Sequence, residues 1–169
     1  MKHNICYLGI GSNIEPRIQH IYRCLELLGQ NSSIHILQKA FIYESDPVDC
    51  VSKDKFLNTV ISIQTLLSPA ELYQTIMVVE GQFYRNRKVF NGPRQMDIDI
   101  LTYNDIVYQD SNLNIPHPRM HLRRFVLKPF RDIAPTWQHP ILHKNVQLLL
   151  SELKDEFNVT IYQDFQAVS

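Results

Sequence analysis

Hydrophobic positions along the chain fall into blocks with two periods, one close to two residues and one close to 3.6. Asn4 to Ile10 reads as a buried first strand and ends in Gly11-Ser12-Asn13, where Gly11 permits a tight turn and Asn13 is placed to cap a helix. From Pro16, the apolar residues Ile18, Ile21, Leu25 and Leu28 follow helical spacing, with Gly29 at the C-terminal end. Ile34 to Tyr43 is a second strand, closed by the turn-rich Ser45-Asp46-Pro47-Val48-Asp49. Phe56 to Leu66, rich in Val, Ile and Thr, is a third, expected antiparallel to the second. Ser68-Pro69-Ala70-Glu71 has the pattern of a capping box with proline at the first helical position, and Leu72, Ile76, Val79 and Phe83 form the apolar stripe behind it. A strand over 97–103 follows, and Asn104-Asp105 turns the chain into Ile106-Val107-Tyr108.

The order to that point is strand, helix, strand, strand, helix, strand. This βαββαβ order predicts an α+β protein with a ferredoxin-like core, its helices packed on one face of the sheet. The remaining sequence predicts helices near 120–132 and 145–156 and a short strand around Val159–Tyr162. Two further helices would cover the other face and give a three-layer helix–sheet–helix arrangement. A single domain over residues 1–169 is expected from the length and the unbroken mix of segments.

The charge is balanced overall, with 17 Lys and Arg against 17 Asp and Glu, so no global field points to nucleic acid or an anionic membrane. Its distribution is uneven. Residues 85–131 carry nine Lys and Arg against four Asp, a local cationic site that suits a small anionic ligand. Cys6, Cys24 and Cys50 have neither the number nor the spacing of a disulfide framework or a zinc knuckle, and read as reduced residues of a cytoplasmic protein. No apolar stretch is long enough for a signal peptide or a membrane span. Gly9-Ile10-Gly11 lacks the third glycine of a dinucleotide fingerprint, and no P-loop is present.

Most of the candidate chemistry lies between Arg85 and Ile100. Arg85, Arg87 and Lys88 precede a turn at Asn91-Gly92-Pro93; Arg94 follows, and then Asp97 and Asp99 on the predicted strand. With a period of two, the two carboxylates share one face, and Ile98 and Ile100 share the other. Adjacent carboxylates repel each other, and a hard cation such as Mg²⁺ offsets this by taking one or two carboxylates together with substrate phosphates. The arginines are suited to bidentate contacts with the remaining phosphate charge. A plainer alternative places both aspartates on the wet face of an edge strand. Glu80, at the border of the second helix's apolar stripe, is either a solvated edge acid or part of a site. His117 lies between Pro116 and Pro118, which restrict its backbone, and nearby cations favour its neutral form. A structural histidine in a rigid turn is the other reading.

Together these segments resemble 6-hydroxymethyl-7,8-dihydropterin pyrophosphokinase of folate biosynthesis. The resemblance is carried by Gly11-Ser12-Asn13, Tyr43 with Pro47, Phe56-Leu57-Asn58, Glu80, Arg85-x-Arg87 and Gly92-Pro93-Arg94-x-x-Asp97-x-Asp99. Downstream it continues through Pro116-His117-Pro118-Arg119-Met120, Arg123-x-Phe125-Val126-Leu127 and Ile133-Ala134-Pro135, and it covers about residues 4–140 in unbroken order. It implies an ATP-dependent transferase that moves pyrophosphate to the pterin's exocyclic hydroxyl and releases AMP. By position, Asp97 and Asp99 would bind two Mg²⁺ ions. Arg85, Arg87, Lys88, Arg94, His117 and Arg123 would contact ATP, with Glu80 and Ile100 beside the nucleotide. Phe56 and Phe125 would stack on the pterin ring and Asn58 would bond its edge, with Ser45, Pro47 and Val48 completing the pocket. The resemblance implies the pterin and ATP as small-molecule partners; a monomer is expected, and the balanced charge and lack of long apolar stretches predict no nucleic-acid or membrane partner.

Three positions depart from the family pattern: Tyr84 where Gly is usual, Phe56 where Tyr is common, and Asn91 after Phe90 where many members carry Trp. Two rival classes use some of the same features, a metal-dependent nuclease through its paired carboxylates and an RNA-binding ferredoxin-like module through aromatics on a sheet. The nuclease has no role for Pro-His-Pro-Arg-Met or the aromatic pair, and the balanced net charge and the carboxylates among the cations count against the RNA-binding module.

Overall fold

A computed structural model describes residues 3–48, 53–83, 95–155 and 157–165. Its centre is an antiparallel sheet. β1 (Asn4–Ser12) lies between β4 (Phe56–Thr65) and β5 (Asp97–Tyr103), and β4 pairs on its far side with both β2 (Ile34–Lys39) and β3 (Ile42–Ser45). The last strand, β8 (Val159–Gln163), adds to the edge of β3. Without β8, this is the ferredoxin-like order, with the second strand of that fold delivered in two pieces. The predicted strand over Ile34–Tyr43 is therefore interrupted. Its register on β4 shifts between Ile36 and Gln38, and the ladder is carried across the gap by the Ala40 N–H, which donates to the Val60 carbonyl at 2.9 Å.

α1 (Arg17–Gly29) and α2 (Pro69–Gly81) cover one face of the sheet, where Ile21, Cys24, Leu28, Leu72 and Ile76 pack against Cys6, Leu8, Ile10, Ile98 and Ile100. α3 (Arg124–Ile133) and α4 (Val146–Glu152) cover the other, where Val126, Leu127, Phe130, Val146 and Leu149 meet Val60 and Leu101. The three layers expected from the sequence are present. Cys6 and Cys24 are both fully buried, and burial pushes each thiol up to about 12, so they serve as small apolar side chains.

Local signals in α2 hold in detail. The Ser68 hydroxyl accepts the Glu71 N–H at 3.4 Å, and the Glu71 carboxylate accepts the Ser68 N–H at 2.7 Å. The helix also buries Leu72, Ile76 and Val79 as its spacing predicts. At α1 one expectation fails and one holds. The N-cap position is Pro16, with no side-chain cap, because the bend after Asn13 starts the helix three residues later. Gly29 is the last residue of the helix, as expected, without a left-handed φ; Gln30 caps it in a right-handed conformation. A Cβ at Gly29 would meet nothing within 4 Å. Gly29→Ala is therefore expected to raise stability in urea melts by ~0.5–1 kcal/mol, because it narrows the unfolded ensemble at no steric cost.

Asn104-Asp105 turns the chain as expected, and Ile106 and Val107 belong to no strand. The paired residues are instead β6 (Tyr108–Gln109) and β7 (Asn114–Ile115), a two-stranded ribbon closed around Asp110, whose carboxylate accepts the N–H groups of Asn112 and Leu113. β5 itself carries one extra residue. Leu8 faces Ile100 but Tyr7 faces Thr102, so Leu101 is a bulge. This lets Asp97 and Asp99 face the α3 side while Tyr103 turns to the α2 side, where its hydroxyl donates to the Leu67 carbonyl at 2.6 Å.

Candidate active site

The ladder across β3, β4, β1 and β5 places the site residues side by side on one sheet face. Gly11 is opposite both Asn58 and Asp97, Gly9 is opposite Asp99, and Ser45 is opposite Phe56. Above them a cavity of about 220 Å³ opens between the sheet and α3. The glycines leave its floor bare. A Cβ on Gly11 would approach the Asn58 side-chain oxygen to 3.1 Å, so glycine there lets the Asn58 amide lie close over the neighbouring strand.

One end of the cavity is aromatic and amide-bearing. Phe56 and Phe125 line it, together with Ser45, Val48 and Asn58. Asn58 is 7% exposed and its amide donates to the Ser45 hydroxyl at 2.8 Å. Tyr43 braces this end from outside. Its hydroxyl donates to the Asp132 carboxylate oxygens at 3.1 and 3.0 Å, joining β3 to the helix whose first turn carries Phe125. Burial raises both groups, the Tyr43 hydroxyl to about 12, so this pair titrates far from neutrality on the tyrosine side.

The opposite end is charged. Asp97, Asp99, His117, Arg119 and Arg123 line it. Arg123 Nη1 lies 3.7 Å from Asp99 Oδ2, and its guanidinium stands 5.5 Å over the Phe125 ring. It thereby links the two ends. His117 Nδ1 accepts the Arg119 N–H at 3.2 Å, so the ring proton belongs on Nε2, which is 3.8 Å from Asp99 Oδ2. Burial first, and then the Arg123 and Arg119 charges, bring the His117 pKa down to about 4; the ring is neutral at pH 7, as its cationic neighbourhood led us to expect.

The sequence of the 7,8-dihydro-6-hydroxymethylpterin-pyrophosphokinase (HPPK) family matches residues 7–135, a stretch that holds every one of these side chains. The chain belongs to the HPPK family. Among its relatives, the 2-amino-4-hydroxy-6-hydroxymethyldihydropteridine pyrophosphokinase of Bacillus subtilis is 38% identical over 132 residues, which are 78% of this chain and 79% of that protein. The Folic acid synthesis protein fol1 of Schizosaccharomyces pombe is 34% identical over 164 residues, 97% of this chain and 22% of that protein. A crystal structure of Plasmodium falciparum HPPK-DHPS superposes with a TM-score of 0.72 at 16% identity, covering 89% of this chain and 44% of that one, and so shares the fold. The chain thus spans about a fifth of the fission-yeast protein and less than half of the Plasmodium one.

Within this member of the HPPK family the sequence-predicted site residues fall in several places. Ser45, Val48, Phe56, Asn58, Asp97, Asp99, His117, Arg123 and Phe125 converge on the cavity. Pro47 is half-buried and outside its lining. Ile100 is on the opposite face and lines a second cleft, of about 250 Å³, with Tyr73, Ile76 and Leu113; Asp99 and His117 border both spaces. Arg85, Arg87, Lys88 and Arg94, like Tyr84, Phe90 and Asn91, lie outside the described residues.

Glu80 lines neither space. It is 7% exposed, and its Oε1 accepts the Ile98 N–H at 2.7 Å, holding the strand between the two aspartates. The solvated-edge reading is wrong, since the packing of α2 on β5 puts this helix position under the sheet. Sequence reasoning gave no role to Arg119 or Asp46, which also line the cavity. The cation beside His117 was a signal for the first; for Asp46 the sequence shows only a turn residue.

The chemistry of the donors fits a hard cation. Asp97 and Asp99 offer oxygen ligands from one face into an open cavity, and Mg²⁺ needs only one or two carboxylates when phosphates and water supply the rest.

Proposed function

We propose that this protein transfers the pyrophosphoryl group of ATP to the hydroxymethyl oxygen of 6-hydroxymethyl-7,8-dihydropterin, releasing AMP, as a step of tetrahydrofolate biosynthesis. The observation that carries this is the shared cavity, in which Asp97 and Asp99 open on the same space as Asn58, Phe56 and Phe125. A flat heterocycle suits the aromatic end, with Asn58 and main-chain groups near Ser45 and Val48 at its polar edge. The triphosphate suits the charged end, and the second cleft beside Ile100 suits the base of the nucleotide. The pterin hydroxyl then reaches the transferred phosphorus where the two spaces meet, at Asp99 and His117.

Two Mg²⁺ ions, held by Asp97 and Asp99, would neutralise phosphate charge and keep the reacting atoms in line. The protein's own groups position and stabilise. Neutral His117 presents an Nε2–H donor whose direction is set by the Arg119 N–H on the other ring nitrogen. Arg123 carries a permanent charge to the phosphates while packing on Phe125. Arg85, Arg87, Lys88 and Arg94 supply further phosphate contacts, and Arg85 and Arg94 act chiefly as charge develops in the transition state. Such a reaction needs positioning and charge neutralisation more than a covalent nucleophile. We further infer that residues 1–169 act as one pyrophosphokinase domain, as a cytoplasmic monomer with small-molecule partners and no nucleic-acid or membrane partner, a reading supported by the formal net charge of +0. Among the described residues, no helix is long and apolar enough to cross a membrane.

Calorimetric titration with a non-hydrolysable ATP analogue, with and without Mg²⁺, followed by the pterin, tests the assignment alongside chromatographic detection of AMP. Mg²⁺-dependent nucleotide binding, then pterin binding, then AMP formation is the expected sequence. Cleavage of a nucleic acid, or no AMP with both substrates present, overturns it.

The floor of the cavity gives a sharper expectation. Gly11→Ala pushes on an Asn58 amide already tied to Ser45, so pterin affinity should fall ~5-fold, the scale of one disturbed hydrogen bond. ATP-analogue affinity should hold, and equal losses for both ligands would count against Asn58 as a pterin contact.

A further inference from the structure

β8 lies beyond the stretch that matches the family, yet it reaches the cavity wall. Val159 pairs with Ser45 in the ladder and is 3% exposed. The residue before it is bonded reciprocally to Asp46: the Asp46 N–H donates to the Asn158 carbonyl at 3.2 Å, and the Asn158 N–H donates to Asp46 Oδ2 at 3.3 Å. Both Ser45 and Asp46 line the cavity. The same terminal segment is held from α3. Lys128 donates to the Val159 carbonyl, Arg124 Nε donates to Asp155 Oδ1 at 2.8 Å, and Arg124 Nη2 donates to the Leu153 and Asp155 carbonyls at 3.1 and 3.2 Å. Phe125 follows Arg124 in the first turn of that helix.

One segment is therefore bonded to both walls of the aromatic end. We propose that β8 and the residues leading into it are a positioning element of the pterin pocket, acting through the Asp46–Asn158 pair to set the Ser45–Val48 wall against Phe125. This rests on the function proposed above. It differs from a merely structural strand in one respect: loosening it should affect one ligand and not the other. Asp46 carries a carboxylate into a turn at the cavity's rim, and the main-chain donor of Asn158, just before β8, fixes where that turn stands. The energy involved is that of one or two hydrogen bonds, so the effect should be a graded loss of affinity and not inactivation.

The test uses full-length variants. Asp46→Ala removes the acceptor, Asp46→Asn keeps an oxygen acceptor, and Asn158→Pro removes the donor while leaving Asp46 in place. Pterin affinity is expected to fall ~5-fold in Asp46→Ala and in Asn158→Pro, the scale of one hydrogen bond, and to return close to wild type in Asp46→Asn. ATP-analogue affinity should be unchanged. The double variant should lose no more than either single one, since both remove the same interaction. Losses that multiply would mean that Asp46 touches the pterin itself, and the proposal fails. It fails equally if pterin affinity is untouched in folded variants, or if ATP and pterin binding fall together with the melting temperature. Should Asn158→Pro not fold, the Asp46→Ala and Asp46→Asn pair decides, with amide exchange at Asn158 expected to quicken in the first and not the second. Wild-type protein that binds no pterin and makes no AMP would instead refute the function itself, a different result from active wild type with indifferent variants.

Discussion

Asp97→Ala and Asp99→Ala are expected to reduce AMP formation by ~1000-fold or more, since losing a metal-held charge from phosphoryl transfer removes several kcal/mol of transition-state stabilisation. Both side chains stand on the α3 face of β5 and open into the cavity, opposite Gly11 and Gly9. The fold should survive. Each change removes one of two neighbouring carboxylates, which relieves repulsion without metal, and neither side chain belongs to the apolar core. Asp99→Ala also gives up the 3.7 Å approach to Arg123, which offsets part of that relief. Turnover near the wild-type rate in either variant, at ordinary Mg²⁺, would remove the carboxylates from the mechanism. Thermal melts run without metal separate that outcome from simple unfolding.

Phe125→Ala should weaken pterin binding ~30-fold, while ATP-analogue affinity changes by no more than ~2- to 3-fold. The larger figure combines burial of an aromatic side chain with the additional attraction of stacked rings. The smaller allows for Arg123, whose guanidinium rests over the same ring and loses that support. Phe125 is only half-buried and packs at the margin of the α3-side core, so the unfolding midpoint should move modestly. Equal losses for both ligands, with a steep fall in stability, would identify Phe125 as core instead of platform. Equilibrium fluorescence or calorimetric titrations of each ligand, beside urea melts, give both readouts.

Much of the architecture was legible because its signals are local. The capping box at Ser68–Glu71, the stripe from Leu72 to Phe83 and the alternation of Asp97 to Ile100 each depend on residues within a few positions of one another. The aspartates' shared face followed from the pleat alone. What the sequence hid depends on partners far away along the chain. Nothing around Glu80 announces that its carboxylate meets the Ile98 N–H, 18 residues on, because that contact exists only once α2 lies on β5. The break after Lys39 is likewise set by the register on β4 and not by any breaker residue; Ala40 and Phe41 read as ordinary strand. The ribbon of β6 and β7 escaped for the opposite reason. Ile106 and Val107 are apolar but largely exposed, and the paired residues Gln109 and Asn114 are polar ones that pattern reading passes over.

The extra residue in β5 bears on how this protein can change over generations. Because Leu101 and Thr102 together face Tyr7, side chains before the bulge and after it follow different phases. A point substitution at Leu101 alters only packing. Loss of a single codon there would restore an even ladder and force a choice, either turning Tyr103 away from its Leu67 partner or turning both aspartates into the apolar layer beneath the sheet. Lineages descending from this gene can therefore explore residue identity along β5 far more freely than they can explore its length, and gaps in this strand should be selected out where substitutions persist.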